Sequence, residues 1–217
     1  MLITLIEQGM CDRLRQGMGD MAHEVTSYSG EMDDDLGRII SVFPAAWVTF
    51  GGITKSEYIA TNRQKVKCTG TFVVIAGDYN TRDDESARMG GVNRNEVGTY
   101  RLIQAVRRLI TGQDLGLSIS PFMPLRVRTL YNTQVQNKAL SVFACEFETQ
   151  WIEPVLGNGL WPEVTQDTDS PDYIFNEYRG KVKEPDPDLL SVGMRYKPPG
   201  IGTIDDPADL VLTRKKP

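Results

Sequence analysis

The order of apolar patterns along the chain predicts an α+β fold. It would be a single, mostly antiparallel or mixed sheet with an N-terminal helix and a second long helix packed on it, followed by an extended proline-rich C-terminal arm. Three observations carry this. The first 18 residues repeat apolar side chains at helical spacing. The middle of the chain reads as strands, then a helix, then a hairpin, grouped and not strictly alternating as in a doubly wound sheet. After Trp151 the composition changes abruptly.

In the first segment Leu2, Ile6, Met10, Leu14 and Met18 recur every fourth residue, and Ile3 widens the stripe. Each such side chain contributes roughly 1.5–3 kcal/mol when buried, so the helix needs a sheet or another helix to lie on. Gly9 and Gly17 weaken its intrinsic propensity, which leaves packing to hold it, and Gly19-Asp20 ends it. A short strand is expected over 22–28. The acidic run Glu31, Asp33, Asp34, Asp35 then precedes Leu36, Ile39, Ile40 and Val42, where carboxylates in a first helical turn would complement the macrodipole.

Pro44 breaks that helix, and 45–50 reads as a buried strand ending at Gly51-Gly52. Residues 56–76 suggest two strands with a turn near Thr61-Asn62, the second running over 64–76 into Phe72-Val73-Val74-Ile75-Ala76. The polar stretch 77–93 reads as a loop with a helical turn at 85–89. The second long helix is expected over 94–111, capped by Asn93 with Glu96 three residues on. Val97, Leu102, Val106, Leu109 and Ile110 would form its apolar side, and Gly112 stops it. Strands over 125–131 and 138–151, joined by a loose polar turn over 132–137, complete a hairpin.

The expected domain covers 1–153 and the arm 154–217. Nine of the twelve prolines lie in that last stretch, too closely spaced for long regular elements. Its aromatic residues Trp161, Tyr173, Phe175, Tyr178 and Tyr196 are too many for a purely solvated tail. An arm that docks on something explains both features, with these five side chains as the interaction residues.

Hydrophobic residues make up 40% and charged residues 24%, ordinary for a soluble globular chain. No apolar run approaches the roughly 20 residues that span a bilayer. The start lacks a basic segment, and Glu7 and Asp12 interrupt its apolar residues, so a cytoplasmic origin and no membrane partner are expected. The net charge of −5 argues against a phosphate-gripping surface, although an acidic wall suits a channel through which DNA slides without specific binding. Cys11, Cys68 and Cys145 are odd in number and far apart, and read as small buried hydrophobes instead of a disulfide or zinc framework.

A search for chemistry finds no catalytic group, no cofactor site and no metal site. His23, beside Glu24, is the only histidine and has no nucleophile signature around it. Gly17-Met18-Gly19 closes a helix instead of opening one after a strand, the wrong context for a dinucleotide. Asp78, Asn80, Asp83, Asp84 and Glu85 carry enough oxygens for a hard cation, but their spacing fits no known ligand loop, and solvated carboxylates are the default. Arg126 and Arg128 share one strand face, either pairing with acidic residues across an interface or, by default, facing water.

Arg88, Gly90-Gly91, Val97-Gly98-Thr99-Tyr100, Leu102, Ala105-Val106-Arg107 and the run from Gly112 to Leu117 resemble the central motif of a Mu-like phage tail terminator family. Arg126-Val127-Arg128, Leu130-Tyr131-Asn132 and the run from Leu140 to Phe147 resemble its closing hairpin. The first helix, Phe43-Pro44-Ala45 and Val48 to Gly51 also fit. The resemblance covers roughly the first 150 residues and carries no catalytic signature.

What the resemblance implies is a structural virion protein at the tail–neck region. Its subunits would form a six-fold ring on the last ring of the tail tube, stop tail growth, and offer a docking face to the head connector. Expected partners are further copies of itself, the tail tube protein, the tail sheath protein and a neck protein. A neck or head-completion protein at the same junction is the alternative structural reading, and an enzyme of unrecognised type is the alternative of another class.

Overall fold

A computed structural model describes residues 2–30, 40–80, 84–91, 97–135, 138–183, 191–195 and 208–212. The chain divides into two compact units, Met1–Asn158 and Gly159–Pro217. The first holds helix α1 (Leu2–Met18), strands β1 (Glu24–Ser27), β2 (Ala45–Tyr58) and β3 (Lys65–Asn80), helices α2 (Asp84–Met89) and α3 (Thr99–Ile110), and strands β4 (Met123–Val135) and β5 (Lys138–Pro154). The second holds helix α4 (Tyr173–Glu177) and strands β6 (Ser191–Arg195) and β7 (Ala208–Leu212).

The five long-unit strands make one mixed sheet in the order β1-β2-β3-β5-β4. Only β1 is parallel to its neighbour, and it covers just Ala45 to Val48 of β2. The fold is therefore α+β, as the pattern predicts. Alternation along each strand sorts the core onto two faces. Ala46, Val48, Phe72, Val74, Cys145, Phe147 and Trp151 pack under α1 and α3 with Ile6, Met10, Leu14, Leu102, Val106 and Ile110. Residues of the opposite alternation on the same strands, Ala45, Trp47, Ile75, Leu140 and Val142, form a smaller cluster with Phe43 on the opposite face. The run Phe72 to Ala76 is apolar at every position because β3 is covered on both sides.

Of the expected core, Leu102, Val106, Phe72, Val74 and Val142 are fully buried, whereas Leu2 and Leu109 sit half-buried at its margin. Gly17 does more than weaken α1. A Cβ there would lie 2.4 Å from Leu109 Cδ2, so the glycine lets α1 and α3 approach closely. All three cysteines are free and buried.

Four boundaries differ from expectation. Strand β2 does not end at Gly51-Gly52 but runs to Tyr58, because the glycines sit at a bulge: pairing with β3 shifts between Phe50 and Gly52 and again between Ile53 and Lys55. Strand β3 continues to Asn80 before the helical turn α2, shortening the expected loop. Helix α3 starts at Thr99, with Gly98 as its N-cap residue at φ 81°, not at Asn93. The loop expected over 132–137 is also shortened: strands β4 and β5 stay paired from Tyr131↔Val142 to Val135↔Lys138, which places 132–135 in β4, while 136–137 lie outside the described residues.

The acidic run at 31–35, most of the helix expected after it, Asn93 and Glu96 lie outside the described residues, and the described end of that helix, Ile40–Val42, is a single 3-10 turn. In the second unit, regular elements of five residues each lie between the prolines, so the region after Gly159 is not extended throughout. Strands β6 and β7 pair antiparallel as a separate two-stranded ribbon.

Candidate interaction surfaces

The glycine-bearing motif of the central region builds a buried polar junction. Asp78, at the end of β3, is 4% exposed. Its Oδ1 accepts the Tyr79 N–H at 2.7 Å, and its Oδ2 accepts the Gly98 N–H at 2.7 Å. One carboxylate thus pins the start of α3 to the sheet, where the positive end of the helix favours it. Thr99 Oγ1 lies 2.9 Å from Ser141 Oγ on β5 and donates to the Ala87 carbonyl of α2 at 3.3 Å. A Cβ on Gly98 would fall 2.2 Å from the Gly90 amide nitrogen, so two glycine segments touch backbone to backbone. These residues join four elements, and their polar atoms are spent on each other.

That geometry bears on the candidate cation stretch. Asp78 is committed to backbone amides, Asn80 is buried, Asp83 lies outside the described residues, and the side chains of Asp84 and Glu85 do as well. Among the described residues no group of three or more His, Cys, Asp or Glu is arranged to hold a metal ion. His23 donates through Nδ1 to the Phe43 carbonyl at 2.8 Å and lines an open hollow with Asp20, Val97 and Arg101. Among the described residues that line the hollow there is no serine, threonine or cysteine.

Arg126 and Arg128 do not simply face water. Glu146, opposite them on β5, accepts from Arg126 Nε at 2.8 Å through Oε2 and from Arg128 Nε at 3.0 Å through Oε1. The bulge between Pro124 and Val127 allows two arginines to reach one carboxylate. Burial pushes the Glu146 carboxyl up, but the two guanidiniums outweigh it and hold the group below its ordinary value. The glutamate side chain is 9% exposed, against 72% and 53% for the arginines, which leaves a cationic rim on the sheet's edge.

Two further surfaces escaped the sequence reading. Beyond Gly52 strand β2 is exposed at every residue to Tyr58, while Cys68, Thr69 and Thr71 of its partner β3 stay buried. Ile53, Tyr58 and Ile59 are exposed there, and Ile152 of β5 is exposed beside them. The mix of Thr, Lys, Ser and Glu with single apolar residues in β2 was the available signal of a strand end without a core face. Strand β4 forms an edge of the sheet, with Met123, Leu125, Val127 and Tyr131 exposed along it.

In the second unit Tyr178 is 80% exposed, Trp161 is 47% exposed beneath Lys181, whose Nζ lies 4.4 Å from the ring centroid, and Phe175 is exposed on α4. Tyr173 is half-buried on that same helix, so Tyr173, Phe175 and Tyr178 come together around one short turn. Tyr196 lies outside the described residues.

A body of structural glycines and internally satisfied polar groups, with exposed strands at its margins, is what the family comparison then meets. The family described as Bacteriophage Mu, Gp37 matches residues 2–152. The chain belongs to that family. No curated protein matches it. The match ends where β5 ends, so the Gp37-like part is the two-faced sheet with its helices, and the unit from Gly159 onward lies beyond it. Membership makes the chain a Mu-related phage protein and points to a structural, not a catalytic, part in the virion. No helix among the described residues is long and apolar enough to cross a membrane.

Proposed function

We propose that this Gp37-family protein is the tail terminator of a contractile-tailed phage. In that role it forms a six-fold ring on the last tail-tube ring, ends tube and sheath growth, and offers its far face to the neck connector. The observation that carries the reading is the family match over residues 2–152. The surfaces are consistent with it. A ring subunit needs two different contact patches on opposite sides, since a heterologous contact that closes generates a cycle. The exposed end of β2 and the β4 edge supply two such patches at different margins of one sheet.

Tube, sheath and connector would be met through the protein's exposed strands and aromatic residues, and DNA would pass the lumen without specific binding, in keeping with the net charge of −5. Disrupting the gene tests this. Tails of uncontrolled length that do not join heads are expected, and an averaged neck map of the complete particle should show the chain as a six-fold ring in contact with the tube. A map with the chain in a twelve-fold collar against the portal would replace the terminator with a neck protein. Tails of normal length that join heads would end both readings.

A further inference from the structure

We infer that the β6–β7 ribbon of one copy adds to the outer edge of β4 in a neighbouring copy, so that adjacent subunits share a continuous sheet. This rests on the ring reading above. Two observations meet here. The first is a ribbon that lacks a sheet. Strands β6 and β7 are five residues each and pair only with one another among the described residues. A two-stranded pair of that length is at best marginally stable in water and needs a third strand or a covering layer. Val192, the one ribbon residue whose side chain is described, is 41% exposed.

The second is an edge that lacks a strand. Among the described residues β4 ends the five-stranded sheet, and no described strand pairs with its outer side. An uncovered edge of this kind is a template for another chain, and natural monomers normally blunt it. Two bulges divide β4, and past the second the ladder is regular from Tyr131 to Val135, a stretch of five residues that matches the ribbon in length.

The other edges fit less well. β1 is four residues long, with its Val25 carbonyl accepting from Arg15 Nη2 at 2.9 Å. The free part of β2 is broken by bulges at Gly52 and before Lys55. Backbone pairing would supply the binding in strand addition, with side chains setting only the register.

Reach permits a crossing between copies. Lys183 donates its N–H to the Pro162 carbonyl, so the chain between them closes on itself, and the eight residues on from Lys183 to Ser191 extend to at most about 28 Å. In a six-fold ring every edge would be filled by the ribbon of the subunit beside it, and none would remain open.

The test is disulfide trapping in the full chain. Cysteine is placed in turn at Tyr131, Asn132 or Thr133, together with one at Val192 or Val211, and the double variants replace the native chain in phage particles. Neighbouring strands lie about 4.8 Å apart, within the Cα separation that a disulfide needs, whereas unpaired strands do not hold that spacing. The native Cys11, Cys68 and Cys145 are buried and do not compete.

The expected result is a ladder of covalent multimers on a non-reducing gel from at least one pairing, absent from every single variant. Monomers closed by an internal disulfide would overturn the exchange between copies, as would particles that carry the chain yet cross-link in no pairing. Dimers from the β4 variant alone would show the edge pairing with itself and overturn it as well. The chain's absence from the tail end of particles is a separate result that sinks the terminator reading. In that case the same trapping on concentrated purified protein still decides where the ribbon goes.

Discussion

Glu146 holds two guanidiniums from a nearly buried position, so its removal and its protonation have calculable signs. Its folded-state pKa is depressed below the ordinary 4.5, which means its contribution is present above that value and is lost as pH falls through the folded pKa. Stability should therefore decline below about pH 4.5, and Glu146→Gln should flatten that part of the curve. At neutral pH the same variant should cost about 1–2 kcal/mol, at the low end for charged hydrogen bonds, because both arginines can turn to water. Urea titrations at neutral and acid pH check both halves, and an unchanged acid slope in the variant would assign the effect to other carboxylates.

Burial pushes the thiols of Cys11 and Cys145 up to about 11, helped at Cys11 by Glu7 and opposed at Cys145 by Arg107. Neither is a nucleophile at neutral pH, and thiol reagents should modify the native chain slowly and all three cysteines on unfolding. A fast-reacting thiol in the native protein would contradict that burial. Cysteine burial was legible in the sequence because each cysteine falls within a segment that reads as helix or strand. The Arg126–Glu146–Arg128 cluster was not, because its residues are 18 and 20 positions apart and meet only through strand register.

At the scale of elements, helix α3 separates what periodicity reveals from what it hides. Its stripe of Leu102, Val106 and Ile110 was read correctly, since 3.6-residue spacing is a local property, and all three are fully buried. Val106→Asp should cost on the order of 4 kcal/mol or more, because no described partner awaits a carboxylate among Cys145, Leu102 and Ile110. Near-native thermal stability in that variant would mean the helix does not pack on the sheet.

Where α3 begins was not legible. Asn93 and Glu96 form a plausible capping pair by themselves, but the helix starts where Asp78, 20 residues upstream, reaches the Gly98 amide. Gly98→Ala should be far worse than an ordinary glycine substitution. It adds strain at φ 81° and a 2.2 Å approach to backbone that cannot rotate away. A loss of several kcal/mol, on the order of 3 or more, is expected in thermal melts. A neutral substitution would show that the Gly90–Gly98 contact is not made. Strand β2 was misjudged for a related reason. Gly51-Gly52 looks like a stop, yet a bulge needs the same φ freedom as a turn, and only the partner strand decides between them.

On the scale of the whole molecule, both core clusters are built from residues between Ile6 and Trp151, and the family match spans 2–152. The sheet's order, with β5 inserted between β3 and β4, was beyond the sequence pattern, since register between distant strands leaves no local trace. Composition did mark the change after Trp151, and the division into units follows at Asn158. A chain ending at Asn158 keeps β5 whole together with the Val155 N–H bond to the Gln64 carbonyl. It should fold with a melting temperature within a few degrees of the full chain, since every buried residue of both core clusters lies between Ile6 and Trp151. What it should lose is assembly. Without Trp161, the aromatic turn of α4 and the β6–β7 ribbon, the body is expected to stay soluble and to rescue a gene-disrupted phage poorly, leaving tails that do not join heads. Replacing Trp161, Phe175 and Tyr178 together by alanine in the full chain should reproduce part of that defect without changing the melt, because these side chains are exposed already. If the truncated body unfolds, the second unit belongs to the core. If it completes tails and joins heads as the full chain does, the region from Gly159 onward has no part in assembly, and contacts must come from the β2–β3 hairpin and the β4 edge alone.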